Sequence, residues 1–255
     1  ETLTSIPVYG ELPRKPRKLK NQEIVVNLEE PSELSECFPL LAERMVALSD
    51  GNGGNPLSVL ITSTCSGEGK TYLSVNLALS LAVAGKKVLL MDMDLRKGAL
   101  SALLGGAGKP GLGDLEQAGE GGWRSLVEQS PVSDHLDYLF AGTVPDHPSR
   151  LLLHDRIRKL MEEVKEQYDF IFMDCVPYSS LADARIVARL ADVTLYVMRA
   201  GCVKKRDLAG LQKIWKNGEL KRMGIVLCDV EPHGRSSRGY AVYRSLDTSS
   251  PCAGK

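Results

Sequence analysis

The chemistry-bearing residues begin with Ser63-Thr64-Cys65-Ser66-Gly67-Glu68-Gly69-Lys70-Thr71. An apolar, strand-like run, Ser58 to Thr62, precedes this stretch, and a helix-like run from Tyr72 to Ala84 follows it. A glycine-rich loop between a buried strand and a helix start suits a nucleotide triphosphate. Its backbone N–H groups can turn inward around phosphate oxygens, and the helix start adds its own unpaired N–H groups. Lys70 would bring a point charge to the outer phosphates, and the Thr71 hydroxyl could ligate Mg²⁺. The position of the motif's first glycine is held by Thr64.

Three carboxylates end apolar runs. Lys87 to Met91 leads into Asp92-Met93-Asp94-Leu95-Arg96, and Tyr168 to Met173 leads into Asp174. If the chain stays extended there, Asp92 and Asp94 point the same way, toward the phosphates. With Lys70 and Thr71 they would form a Mg²⁺–nucleotide site in which one or two carboxylates act through water. A carboxylate not spent on metal can take a proton from an attacking hydroxyl, and phosphoryl transfer needs chiefly positioning and charge neutralisation. Arg96 would either steady the transferring phosphate or cap the strand end.

Alternating strands and helices must position these groups. Helices are expected over 33–49 (through or after Pro39), 72–84, 148–167, 182–190 and 204–216, and strands over 58–62, 87–91, 136–141, 168–174, 193–198 and 223–228. Runs apolar on both faces indicate parallel strands covered by helices. The fold class is α/β, a doubly wound, mainly parallel sheet with helices on both faces, of the P-loop NTPase type. Such sheets bind ligands at the C-terminal strand ends, where all three motifs fall. Residues 105–122 read as a mobile glycine-rich loop, residues 123–128 as a short helix, and Glu23-Ile24-Val25-Val26 as a short extended piece. The expected organisation is a linker over 1–32, the P-loop domain over 33–230 and a flexible tail over 231–255. The linker's basic run, Arg14 to Lys20, suits solvent or an anionic membrane surface.

The formal net charge of +0 provides no basic field for nucleic acid. The 6 cysteines show no C-x-x-C pair and read as reduced thiols. No apolar run is long enough to span a bilayer. The chain starts at Glu1, as a fragment would.

Gly67-Glu68-Gly69-Lys70-Thr71, Asp92-Met93-Asp94-Leu95-Arg96 and Asp174-Cys175-Val176-Pro177 together resemble the Walker A, A′ and B motifs of the bacterial tyrosine kinases of capsule and exopolysaccharide machinery. The likeness extends to Pro148-Ser149, Ala182-Asp183-Ala184 and Val197 to Gly201, and covers roughly residues 30 to 230. It implies that the loop Ser66, Gly67, Glu68, Gly69, Lys70 and Thr71, with Tyr72 behind it, holds ATP. Thr71, Asp94 and Asp174 would hold Mg²⁺, and Asp92 would be the base for a substrate tyrosine. Lys70 and Arg96 would act on the phosphates, and the tail tyrosines Tyr240 and Tyr243 would be phosphoacceptors.

The setting that the resemblance implies is the cytoplasmic domain of a bacterial inner-membrane protein, with the linker over 1–32 juxtamembrane. Its implied partners are neighbouring copies of itself, a transmembrane activator segment on the same or another chain, polysaccharide polymerase and export proteins, and a tyrosine phosphatase. Three departures stand out. Glu36 matches the family's oligomerisation motif, but Pro39 and Ala42 occupy its arginine positions. Only Tyr240 and Tyr243 remain of the usual tyrosine-dense tail. Cys228 replaces the asparagine that often ends the last strand near the adenine. Two other readings compete: a partition or septum-positioning ATPase, whose signature lysine position is here Cys65, and an ATP-binding scaffold of the polysaccharide complex.

Overall fold

The computed structural model describes residues 4–16, 19, 23–26, 32–119, 121–179 and 182–231. Eight strands form one sheet: β1 Val8–Pro13, β2 Leu57–Ser63, β3 Val88–Asp92, β4 Val127–Gln129, β5 Leu136–Leu139, β6 Phe170–Asp174, β7 Val193–Arg199 and β8 Met223–Val230. Their order across the sheet is β1-β8-β7-β2-β6-β3-β5-β4. Every neighbouring pair is parallel except β4 with β5.

β2 and β6 are adjacent in the sheet although residues 64–169 separate them in sequence. All residues of β2, β3 and β6 are buried. Alternate residues therefore feed two cores, as the two-residue period of a strand requires. Val59 and Ile61 join the core under helices α1 (Glu33–Asp50) and α2 (Lys70–Val83). Leu60 joins the core on the other face, with residues of α5 (Pro148–Leu153), α6 (Asp155–Lys165), α7 (Ala182–Ala188) and α8 (Lys205–Lys216). Two short helices, α3 (Ala99–Leu103) and α4 (Leu115–Ala118), are the remaining α-helices among the described residues.

Several expectations are corrected. The stretch expected to be linker contains β1, an edge strand docked parallel to β8. Its signal is weak because its pairing partner lies more than two hundred residues away. Val25 and Val26 are buried but form no strand. Their N–H groups go instead to Asn76 Oδ1, at 2.7 and 3.4 Å. The single helix expected over 148–167 is two, broken at His154, whose backbone is extended and whose ring accepts from Arg156 N. Residues 123–128 divide into the end of a 3₁₀ turn and the strand β4. Helix α1 runs on through Pro39.

The glycine-rich stretch is packed against the end of β5. Leu112 N and Gly113 N donate to the carbonyls of Phe140 and Ala141, both at 2.8 Å. A Cβ at Gly113 would stand 1.9 Å from the Thr143 carbonyl oxygen. Glycine here permits close backbone approach rather than motion.

Candidate nucleotide and phosphotransfer site

The loop between β2 and α2 needs glycine where its backbone enters the left-handed region, at Gly67 (φ 83°) and Gly69 (φ 101°). Thr64 has no such φ, which explains why that position tolerates a side chain. Thr64 is fixed from two sides: its hydroxyl bonds the Tyr196 hydroxyl at 3.2 Å, and its carbonyl accepts from Ser179 Oγ at 2.5 Å. Ser66 is exposed on the loop. Glu68 is 4% exposed, and its carboxylate accepts from Cys65 N at 2.6 Å, so this side chain shapes the loop from within.

Lys70 opens α2 and donates to Ser63 Oγ at 3.1 Å. Burial lowers its pKa, against the opposing pull of Asp174, Glu68 and Asp94. Thr71 Oγ1 donates to Asp174 Oδ2 at 2.7 Å, and Ser74 Oγ to Asp174 Oδ1 at 3.1 Å. Asp174 and Asp92 are partners across the β3–β6 register. Burial raises the Asp174 carboxyl to about 7, and the neighbouring Asp92 adds to the rise. Burial likewise raises Asp92 to about 6.

The extended run stops at Asp92, so strand alternation does not reach Asp94. Asp92 is 0% exposed. Its Oδ2 accepts from Ser101 N and Oγ at 2.8 and 2.7 Å, and its Oδ1 from Asp94 N at 3.1 Å. Asp94 is half-buried and caps the next turn, accepting from Arg96 N at 3.3 Å and Lys97 N at 3.1 Å. Arg96 is held sideways. Its Nε donates to the buried Asp183 at 2.8 Å, and its terminal nitrogen reaches Ser149 Oγ at 3.4 Å. Ser149 also donates to Asp183.

Ser74, Ser101, Ser149 and Asp183 are the functional neighbours that sequence reasoning gave no role. Ser74 was findable as the residue one helical turn after Thr71. Ser101 carried no signal.

A cavity of about 290 Å³ adjoins the loop, lined by Gly67, Glu68, Gly69, Tyr72, Arg199, Cys228 and Asp229 on one side and by Leu12, Pro13, Lys15, Glu23 and Leu34 on the other. The Tyr72 ring meets Phe38 edge-on at 5.9 Å and lies under the Lys15 ammonium at 4.9 Å. Its buried hydroxyl has no hydrogen-bond partner among the described residues.

The parts fit a nucleotide with its cation. A left-handed glycine pair opens the loop, a lysine and a helix start face it, and a hydroxyl and a buried carboxylate stand together behind it. Among the described residues no group of three His, Cys, Asp or Glu is gathered to hold a metal by itself.

Comparison with known proteins agrees with this geometry. The family model of the CobQ/CobB/MinD/ParA nucleotide binding domain matches residues 59–254. The tyrosine-protein kinase YwqD of Bacillus subtilis is 31% identical over 231 residues, covering 89% of this chain and 94% of that protein. The chain belongs to the bacterial tyrosine kinases. Another relative, the putative tyrosine-protein kinase EpsB of Ralstonia nicotianae, is 35% identical over 209 residues, which cover 79% of this chain but only 27% of EpsB. The chain thus spans about a quarter of that relative's length.

Among solved structures, the kinase domain of the Escherichia coli tyrosine kinase ETK superposes with a TM-score of 0.75 at 25% identity, over 90% of this chain and 92% of that one. MinD of Pyrococcus horikoshii, at TM-score 0.56 and 24% identity, shares the fold. The nucleotide-binding assignment and the doubly wound fold are therefore those of the family. Among the described residues no helix is long and apolar enough to cross a membrane.

Proposed function

We propose that this kinase domain transfers the γ-phosphoryl group of ATP to tyrosine hydroxyls of proteins, its own Tyr240 and Tyr243 among them. Both tail tyrosines lie outside the described residues. The observation that carries the reading is the pairing of Asp92 with Asp174 across adjacent strands, with Thr71 bonded to Asp174.

In this proposal the loop from Ser66 to Thr71 cradles the phosphates, and Lys70 neutralises their outer charge. Thr71, Asp94 and Asp174 would hold Mg²⁺, directly or through water. When bound, Mg²⁺ neutralises charge on the transferring phosphoryl group. Asp92 takes the phenolic proton, a task suited to a carboxyl raised to about 6. Ser101 must release one oxygen for it to do so. Arg96, braced by Asp183 and Ser149, steadies the phosphoryl oxygens. The adenine would take the cavity lined by Tyr72, Cys228, Leu12 and Pro13.

The proposed setting is the cytoplasmic part of an inner-membrane protein regulating capsule or exopolysaccharide synthesis and export. Residues 1–32 would adjoin a membrane segment, and neighbouring copies, polymerase and export proteins and a phosphatase would be the partners.

The test is phosphotyrosine formation with Mg²⁺-ATP, read by intact mass on wild type and Lys70→Met. Phosphotyrosine that disappears with Lys70 supports the proposal. ATP turnover without phosphotyrosine overturns it.

A further inference from the structure

The chain has 8 tyrosines, and a tyrosine kinase meets its own first. Tyr138, Tyr178 and Tyr196 are no more than 3% exposed, and Tyr168 is 9% exposed. Their hydroxyls are engaged by Ser130, Glu219, Thr64 and Asp137, respectively. The Tyr72 hydroxyl is buried. Tyr9 differs from all of these: its hydroxyl sits at the surface, donating to the Arg222 carbonyl at 3.1 Å. Tyr9 is half-buried, and its hydroxyl bond is the one tyrosine hydrogen bond at the surface among the described residues.

Its place in the fold is also distinctive. Tyr9 lies on β1, the sheet's edge, whose register against β8 shifts twice, between Val8 and Gly10 and between Glu11 and Pro13. An edge strand with an interrupted ladder is among the first elements to open locally. The ring rests on Gly224, where an added Cβ would stand 2.2 Å from it. The Arg44 guanidinium lies 5.5 Å over the ring and donates to the carbonyls of Val8 and Tyr9 at 3.1 and 2.9 Å.

We infer that Tyr9 is a phosphorylation site of this kinase, and that its phosphate loosens β1 from β8. The inference rests on the proposed kinase activity and adds a substrate and a consequence to it. Oη of a peeled Tyr9 attacks the γ-phosphorus of ATP held by another copy. The bond from that phosphorus to the β-phosphate bridging oxygen breaks, ADP leaves, and the phenolic proton passes to the second copy's base carboxylate. The product has no O–H to donate to the Arg222 carbonyl. It places a charge of about −2 against that oxygen instead. Arg44 is the cation at hand, and pairing with the phosphate draws it away from the Val8 and Tyr9 carbonyls that it now holds. Both changes weaken the edge. Leu12 and Pro13, on the same strand, then leave the nucleotide cavity, so the modification lowers ATP affinity.

The test incubates the 255-residue chain with Mg²⁺-ATP and maps tryptic peptides. Residues 1–14 contain Tyr9 as their sole tyrosine, and residues 239–244 contain Tyr240 and Tyr243. The expected result is phosphate on Tyr9 in wild type and none there in Tyr9→Phe, with tail labelling unchanged. The Tyr9-phosphorylated chain binds ATP severalfold more weakly than the equally treated Tyr9→Phe chain. Label on the tail alone overturns the inference and leaves the kinase reading standing. No label on any tyrosine overturns both. Label on Tyr9 with unchanged ATP affinity overturns the loosening of β1.

Discussion

Two stretches of chain meet at the nucleotide cavity, and they are held there in different ways. The phosphate loop is fixed mostly within its own strand–loop–helix unit, by Glu68 on Cys65, Lys70 on Ser63 and glycines where the backbone turns left-handed, with Thr64 alone tied to distant groups, Tyr196 and Ser179. The arm that supplies Leu12, Pro13, Lys15 and Glu23 is fixed by distant groups. Its backbone pairs with β8, and Arg14 reaches Asp229 at 3.0 Å and Glu231 at 2.7 Å. Asn76, buried on α2, takes the N–H groups of Val25 and Val26 and donates to the Glu23 carbonyl at 2.7 Å. The Arg14 pairs are exposed and contribute little. Asn76 is the firm attachment, since buried hydrogen bonds are costly to leave unmade. The difference implies a division of labour. In the proposed function the loop and strand ends would carry the chemistry, and the arm would add affinity through contacts that can be released.

The largest test of that division is Lys70→Met. It should lower phosphotransfer by about 10³-fold, the scale of losing one aimed cationic or donor group, while circular dichroism shows the fold intact. Asp92→Asn should cost about 10²-fold in kcat with nucleotide affinity retained, the effect of losing a general base. An unchanged kcat would move that role elsewhere.

Asp174→Asn should abolish the Mg²⁺ dependence of nucleotide binding while leaving the nucleotide-free chain at least as stable, because it removes a costly buried charge. The pH dependence follows from the same charge. Unfolded aspartate titrates near 3.8, whereas folded Asp174 titrates at about 7 and Asp92 at about 6. The folded state therefore holds these protons more tightly. Stability without nucleotide rises as pH falls from about 8 toward 5, by roughly 1.4 kcal/mol per pH unit for each carboxylate titrating. Denaturant midpoints should show this slope in wild type and a shallower one in Asp174→Asn.

The parts with local causes were legible in sequence. The β2–loop–α2 unit, the strands ending in Asp92 and Asp174 and the alternation of the sheet all follow from period and from glycine placement. The order of the sheet and the docking of β1 do not, because they depend on pairings across most of the chain. Asp92 and Asp94 were placed on one face by an alternation that the turn after Asp92 interrupts. Ser101 escaped notice and Asp183, although part of the family likeness, was given no role, because a lone serine or a helix-start aspartate has many ordinary uses. The glycine-rich stretch around residue 113 was misread because glycine serves close packing and flexibility alike, and composition does not separate the two.

Kinetics of Asn76→Ala test the division of labour most directly. The substitution frees the arm from α2 without touching any group assigned to phosphate, metal or proton transfer. The account predicts that KM for ATP rises about fivefold, as for the loss of roughly 1 kcal/mol of binding, while kcat for tyrosine phosphorylation stays within about twofold. A fall in kcat at unchanged KM would contradict it, because the arm would then act on the chemistry rather than on binding.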